Sequence, residues 1–122
     1  MGIKKFTELR VWQAARTITM DIYKLTRHFP VDERFALASQ MRRAMISIGA
    51  NIAEGFGRWS PKDRARFYEL SKASAEELRH HLIVASDLQY LRSDPGLDER
   101  LDSLCAMLHR ARETVLSRSV DP

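Results

Sequence analysis

The hydrophobic positions along this chain recur every three or four residues, which is the spacing of an α-helix with one buried face. Four such stripes follow one another, and short segments containing proline, glycine or aspartate separate them. No segment shows the alternating pattern of a half-buried β-strand. The pattern therefore predicts an all-α fold with helices at about residues 8–28, 32–56, 61–91 and 95–118.

The first two stripes are separated by a proline. They consist of Val11, Ala15, Ile18, Ile22, Leu25 and Phe29 in the first helix, and of Leu37, Met41, Met45, Ile48, Ile52 and Phe56 in the second. Because Pro30 cannot continue the helical hydrogen-bond ladder, the first helix should end near His28. Asp32 is predicted to cap the second helix, and Gly55 with Gly57 to end it.

The third and fourth stripes also have clear starting signals. Serine caps a first turn and proline fits the first helical position, so Ser60 and Pro61 predict the start of the third helix, and Asp94-Pro95-Gly96 predicts the turn before the fourth. The stripes are Phe67, Leu70, Leu78, Leu82, Ala85 and Leu88, and then Leu97, Leu101, Leu104, Leu108, Ala111 and Val115. Short connections favour antiparallel neighbours. We therefore expect a single domain, residues 1–122, folded as an antiparallel up-down-up-down four-helix bundle.

The composition agrees with a folded protein outside the membrane. Hydrophobic residues make up 44% of the chain and charged residues 30%, as is usual for globular domains. The sequence has no run of the roughly 20 apolar residues that a membrane span requires, and its first residues do not resemble a secretory signal. We therefore expect a cytoplasmic protein without a membrane partner. Cys105 is the only cysteine, which excludes an intramolecular disulfide and predicts a small hydrophobic side chain in the core or an interface.

Candidate catalytic groups are sparse. Di-iron bundles need two Glu-x-x-His motifs and two further inward glutamates, and this chain has a single such motif, Glu77 with His80. His81 follows directly, and adjacent side chains on a helix point about 100° apart. The sequence contains no nucleophile motif and no phosphate-binding glycine loop. We therefore expect no enzymatic activity, no cofactor and no metal site; metal-dependent catalysis by Glu77 and His80 is the alternative.

A polar stripe lies beside the apolar stripe of the second helix. It comprises Gln40, Arg43, Ser47, Asn51, Glu54 and Arg58, which lie on one side of the helix. Asn51 is the only asparagine of the chain and lies in the middle of the helix, where asparagine has poor propensity. The stripe is either an ordinary solvated face or a partly buried hydrogen-bond network that fixes register or pairs subunits.

A basic cluster is predicted around the turn between the second and third helices. Its members are Arg42, Arg43, Arg58, Lys62, Arg64 and Arg66, opposed locally by Glu54 and Asp63. Residues 1–61 contain ten Lys or Arg against five Asp or Glu, whereas residues 62–122 contain ten against eleven. Arginine suits phosphate recognition because its planar fork donates two hydrogen bonds, and Trp59 could stack on a base. A solvated face, salt bridges between subunits, and a Trp59 packed against the bundle end are the alternatives.

Several spaced motifs resemble one known family. They are Phe6-x-x-Leu9-x-Val11-Trp12-Gln13, Phe29-Pro30-x-x-Glu33, Gln40-x-x-Arg43 and Ser47-Ile48-x-x-Asn51-Ile52-Ala53-Glu54-Gly55-x-x-Arg58, followed by Phe67, Ser74, Glu77, Leu78 and Tyr90-Leu91. Across about three quarters of its length the chain resembles the bacterial four helix bundle protein family, also called the 23S rRNA intervening-sequence protein family. Ala73 departs from the glycine that the family usually has before Ser74, which affects only local helix spacing.

The resemblance implies a small cytosolic bundle without an established enzymatic activity, and it adds Glu77 to the residues of the polar network. The accessory proteins of diversity-generating retroelements look similar in fold, form five-fold rings and engage nucleic acid through basic surface. By that likeness we expect a homo-oligomer, with a pentamer favoured. Two functions remain open: binding of rRNA or other RNA or DNA through the basic cluster, and a protein–protein scaffold that uses the polar stripe with Trp12, Tyr23 and Trp59.

Overall fold

Four α-helices form the structure, a computed structural model that describes residues 2–92 and 94–118. They are α1 (Arg10–Thr26), α2 (Leu37–Phe56), α3 (Pro61–Asp87) and α4 (Pro95–Arg118), with short 3-10 turns at Phe6–Glu8 and Val31–Glu33. The described residues contain no strand, so the predicted all-α fold is confirmed. None of the described helices has both the length and the apolarity that crossing a bilayer requires.

Helix α3 runs in the opposite direction to α2 and to α4. Ser47 of α2 contacts Ser74 of α3, whereas Gly55, later in α2, lies against Phe67, earlier in α3. Two ion pairs join α3 to α4 in the same reversed order, Glu69 with Arg112 and Arg79 with Asp102, and a further ion pair, Asp21 with Arg100, joins α1 to α4. The molecule is therefore a four-helix bundle in which α2 and α4 both pack antiparallel against α3.

One hydrophobic core runs through the bundle, and the predicted stripes of α1, α2 and α4 supply most of it. Its fully buried large side chains are Ile18, Ile22, Met41, Met45, Ile48, Ile52, Leu78, Leu101, Leu104 and Leu108. Burial of one such side chain contributes about 1.5–3 kcal/mol to folding. Cys105 is 8% exposed and belongs to this core, as predicted.

The predicted stripe of α3 is wrong at two positions. Leu70 is 39% exposed and Leu88 is 49% exposed. The buried face of α3 instead contains small residues and one tyrosine in its first half: Ala65, Tyr68, Ser71 and Ala75. Because α3 packs closely against α2, small side chains face the core there and the leucines are left outside.

The helix termini differ from the prediction where local signals compete. The first helix ends at Thr26 rather than near His28. Asp32 does not cap α2, since it lies in a separate 3-10 turn, and α2 begins only at Leu37 without a side-chain cap. Ser60, by contrast, caps α3 as predicted, because its Oγ accepts a hydrogen bond of 3.3 Å from the Asp63 backbone N–H.

The third helix ends at Asp87 instead of continuing to about residue 91. Gln89 adopts a positive φ of 63°, the left-handed conformation that terminates a helix. The Tyr90 N–H then donates to the Ala85 carbonyl, and the Gln89 N–H donates to the Ser86 carbonyl, both at 2.9 Å. This pair of bonds is a Schellman motif. Glycine usually occupies the left-handed position, so the sequence offered no signal for it.

Gly55 has a packing role that differs from the helix stop predicted for it. It is buried inside α2, and Gly57 forms the C-cap. A Cβ atom at position 55 would lie 2.6 Å from the Cβ of Phe67 on α3. Since Cβ atoms do not approach so closely, α2 and α3 can pack at this distance only because residue 55 is glycine.

We expect Gly55→Ala to destabilise the bundle by about 1–3 kcal/mol, because the added methyl group must push α3 away from α2. Gly49→Ala is the matched control. A Cβ at position 49 of the same helix meets nothing within 4 Å, so this substitution should stabilise the protein by about 0.5–1 kcal/mol through helix propensity. Urea unfolding of both variants measures the difference; equal effects would contradict the close contact.

Candidate nucleic-acid interface

The connection between α2 and α3 carries four of the six residues of the predicted basic cluster. Arg58 lies in the connection itself, and Lys62, Arg64 and Arg66 lie on the first two turns of α3. We call these four residues and Trp59 the basic turn. Their side chains differ in what they contact, and this decides which charges are available to a ligand.

Arg64 is used to complete the end of α2. Its Nε–H donates to the Arg58 carbonyl at 2.7 Å, and its Nη2 donates to the Phe56 carbonyl at 3.3 Å. The last carbonyl groups of a helix have no partner within the helix itself. Arg64 therefore supplies a hydrogen-bond donor to the last carbonyl of α2 and fixes the path of the chain into α3.

Arg58 is partly neutralised. Its Nη2 donates to Glu54 Oε1 at 3.0 Å, and its Cζ lies 4.9 Å from the centre of the Phe67 ring. The two charged side chains are 46% and 57% exposed, so the ion pair adds little to stability. Glu54 nevertheless offsets part of the charge that Arg58 would present to a phosphate.

Lys62, Arg66 and Trp59 remain available to a ligand. Lys62 and Arg66 are exposed, and no carboxylate of the described residues pairs with them. Trp59 is 98% exposed. The interpretation that Trp59 packs against the end of the bundle is therefore wrong, and its indole ring is free on both faces.

The structure does not bring Arg42 and Arg43 to the basic turn. Arg42 lies near the start of α2, where its Nε–H donates to Thr26 Oγ1 at 2.8 Å. Sixteen residues of chain separate Arg42 from Arg58, which is about 24 Å along a helix. The predicted cluster is thus divided between the two ends of α2, because a helix separates residues that lie near each other in the sequence.

Two residues of the predicted polar stripe, Ser47 and Asn51, take part in a series of hydrogen bonds that links α2 to α3. The Asn51 amide donates to the Ser47 carbonyl at 2.9 Å and to Ser47 Oγ at 3.0 Å. Ser47 Oγ lies 2.9 Å from Ser74 Oγ of α3. Close by, the Ser71 hydroxyl donates to the Ile48 carbonyl at 2.9 Å. Sequence reasoning missed the role of Ser71, for which its spacing of seven from Leu78 was the available signal.

The other members of the polar stripe take no part in these hydrogen bonds. Within the described residues, the side chains of Gln40 and Arg43 have no hydrogen-bond partner. Glu77 lies on α3, where its carboxylate is 3.3 Å from His81 Nε2. The structure thus joins Ser47 and Asn51, and separately Glu54 and Arg58, and leaves the remaining members apart.

The candidate catalytic groups are not assembled in the part of the chain that the structure describes. No group of three or more His, Cys, Asp or Glu residues there is placed to hold a metal ion. Glu77 contacts His81 and not His80. Burial raises the pKa of the Cys105 thiol, which disfavours the thiolate that a cysteine nucleophile requires.

The different roles of Arg64 and Arg66 predict different effects on stability. Arg64→Gln should lower the free energy of unfolding by about 1–2 kcal/mol, because the Phe56 carbonyl at the end of α2 and the Arg58 carbonyl in the connection lose a charged donor. Arg66→Gln removes an exposed charge from the same helix and should change it by less than about 0.5 kcal/mol. Chemical denaturation of the two variants measures the difference. If Arg64→Gln is as stable as Arg66→Gln, the hydrogen bonds that Arg64 donates at the end of α2 do not contribute to stability.

Comparison with known proteins identifies the family. A sequence model described as 23S rRNA-intervening sequence protein matches residues 7–110. No curated protein matches the chain significantly. The solved structure of a protein of unknown function from the S23 ribosomal protein family of Bacteroides thetaiotaomicron has a similar fold, with a TM-score of 0.62 and 22% sequence identity over 91% of this chain and 99% of that one. Since the family match covers most of its length and confirms the resemblance of its motifs, the chain belongs to the 23S rRNA-intervening sequence protein family.

Proposed function

We propose that this chain is a non-enzymatic cytoplasmic protein that assembles with copies of itself and binds single-stranded nucleic acid, rRNA or other RNA or DNA, at the basic turn. The observation that carries the binding proposal is the 98% exposure of Trp59 beside the unpaired cations Lys62 and Arg66. An aromatic ring that packs against nothing in its own chain is suited to stacking on a ligand.

Stacking and charge supply different parts of the binding energy. A base stacked on a tryptophan contributes about 1–3 kcal/mol and does so for any base, because every base has a flat π face. Lys62 and Arg66 can neutralise two backbone phosphates and release their counterions. Single strands fit this arrangement better than duplexes, since their bases are free to stack on the exposed ring of Trp59.

Substitutions in the basic turn should separate the two contributions. With a short, fluorescently labelled single-stranded RNA, Trp59→Ala should weaken binding about 5- to 150-fold, the equivalent of one lost stack, and leave the salt dependence unchanged. The double variant Lys62→Gln/Arg66→Gln should make the slope of log affinity against log salt shallower by about 1.4, for two lost phosphate contacts. Fluorescence anisotropy across a salt series measures both.

The control removes the same charge at the other end of the bundle. Lys24 and Arg92 are exposed, and neither forms an ion pair within the described residues. Lys24→Gln/Arg92→Gln should therefore retain the affinity and most of the salt slope of the unsubstituted protein. If this control and Lys62→Gln/Arg66→Gln lose affinity and salt slope to the same extent, binding depends on net charge and not on the basic turn.

Self-association is supported by the outer surface of α2 and α3, which combines unpaired polar groups with exposed aliphatic ones. We call this surface the α2–α3 outer face. Arg43 has no partner among the described residues, while Ile46 is 51% exposed and Leu70 39% exposed. A second copy would cover the aliphatic side chains and supply a carboxylate for Arg43. If the two contacting surfaces differ and the rotation between successive copies adds up to a full turn, the copies close into a ring, and by likeness in fold the favoured ring is a pentamer.

A lysine on the α2–α3 outer face should reduce the assembly. We expect Leu70→Lys to lower the molar mass measured by light scattering towards that of a single chain, because it buries a charge at the contact. Ile83→Lys is the matched control, since Ile83 is also on α3, is 62% exposed and lies on the side facing α4. A protein that is monomeric without substitution contradicts the self-association proposal directly.

A protein–protein scaffold is the second candidate function, and the same α2–α3 outer face favours it. In that case a different protein, and not a second copy, covers Ile46 and Leu70. The RNA titration distinguishes the candidates, because a scaffold without nucleic-acid binding shows no saturable anisotropy change at moderate salt. A scaffold also leaves Trp59 free to contact the partner protein.

A further inference from the structure

A second basic site lies at the end of the bundle away from the basic turn. Here the end of α1, the 3-10 turn Val31–Glu33 and the start of α2 surround an open cavity of about 240 Å³. Its walls include Thr26, Arg27, Phe29, Val31, Arg34 and Arg42. Three of the eight lining residues are arginines, and none of the described residues that line the cavity is a carboxylate.

Arg42 is held in place before any ligand arrives. Its Nε–H donates to Thr26 Oγ1 at 2.8 Å, and its Cζ lies 4.6 Å from the centre of the Tyr23 ring. Thr26 is itself fixed, because it is 4% exposed and its hydroxyl donates to the Ile22 carbonyl at 2.8 Å. The two terminal nitrogens of Arg42 have no partner among the described residues. A guanidinium oriented in this way loses little conformational entropy on binding.

The acidic residues of the neighbouring turn, Asp32 and Glu33, do not line the cavity. Within the described residues, neither of them forms an ion pair with an arginine. Arg27 and Arg34 are both exposed, and neither forms an ion pair within the described residues. The positive charge of the three arginines is therefore available to an anion.

We propose that this cavity binds a phosphomonoester group, presented either by a free phosphate compound or by the phosphorylated end of a nucleic acid. Three guanidinium groups can donate to several oxygens of one phosphate in bidentate geometry. A dianionic monoester is favoured over a monoanionic diester, because all three cations surround one small cavity. The site is independent of the proposed binding at the basic turn, from which the length of α2 separates it.

Inorganic phosphate is the first probe, titrated at constant ionic strength and followed by the amide chemical shifts of the whole chain. We expect saturable shifts around residues 26–42, and at least tenfold weaker binding in Arg27→Gln/Arg34→Gln. Both side chains are exposed, so the variant should fold normally. The matched control is Arg10→Gln/Arg110→Gln, which removes two exposed charges at the opposite end of the bundle and should bind phosphate unchanged.

Two further binding measurements identify the source of the phosphate and distinguish binding at this cavity from binding at the basic turn. One measurement compares a 5′-phosphorylated oligonucleotide with its 5′-hydroxyl counterpart. If the phosphorylated oligonucleotide binds more tightly, and Arg27→Gln/Arg34→Gln removes the difference, the ligand is a nucleic-acid end. If the two oligonucleotides bind equally while inorganic phosphate binds saturably, the ligand is a free phosphate compound. Trp59→Ala should leave phosphate binding intact. The proposal is overturned if inorganic phosphate produces no saturable shifts, or if both double variants lose binding equally.

Discussion

The close contact between α2 and α3 is the constraint on which the rest of the structure depends. It requires Gly55, because any larger residue would collide with Phe67, and it continues along the two helices through Ser71, which is completely buried, and Ser74, which contacts Ser47. The Ser71 hydroxyl donates to a carbonyl of α2, so its burial leaves no unpaired polar group. Since protein interiors are close-packed, this helix spacing cannot relax at one point without moving its neighbours.

The same contact shapes the surface that the protein presents. Because the small residues of α3 face α2, Leu70 is turned outward onto the α2–α3 outer face. Because α3 starts close beside the end of α2, Arg64 can reach back to the carbonyls of Phe56 and Arg58. This cap holds the connection in one path and leaves Trp59 in solvent. A packing requirement in the interior thus produces the exposed groups from which function is inferred.

The length of the bundle divides its positive charge into two regions with different chemistry. At the basic turn two free cations follow an exposed tryptophan along the chain, a combination suited to an extended strand. At the other end Arg42 is oriented by Tyr23 and Thr26 beside a small cavity, which suits one compact anion. Because a four-helix bundle serves many unrelated functions, these surface arrangements carry more functional information than the fold that they share with their family.

The sequence by itself determined the four helices, the apolar stripes of α1, α2 and α4, and the cap at Ser60, because each depends on residues within a few positions of one another. Only the tertiary structure decided that Leu70 and Leu88 lie outside the core, that α3 ends at Asp87, and that Arg42 is separated from the basic turn. Periodicity reports which face of a helix is apolar. The distance between two helices, and the carbonyl or ring that a cation meets, depend on residues far away in the chain.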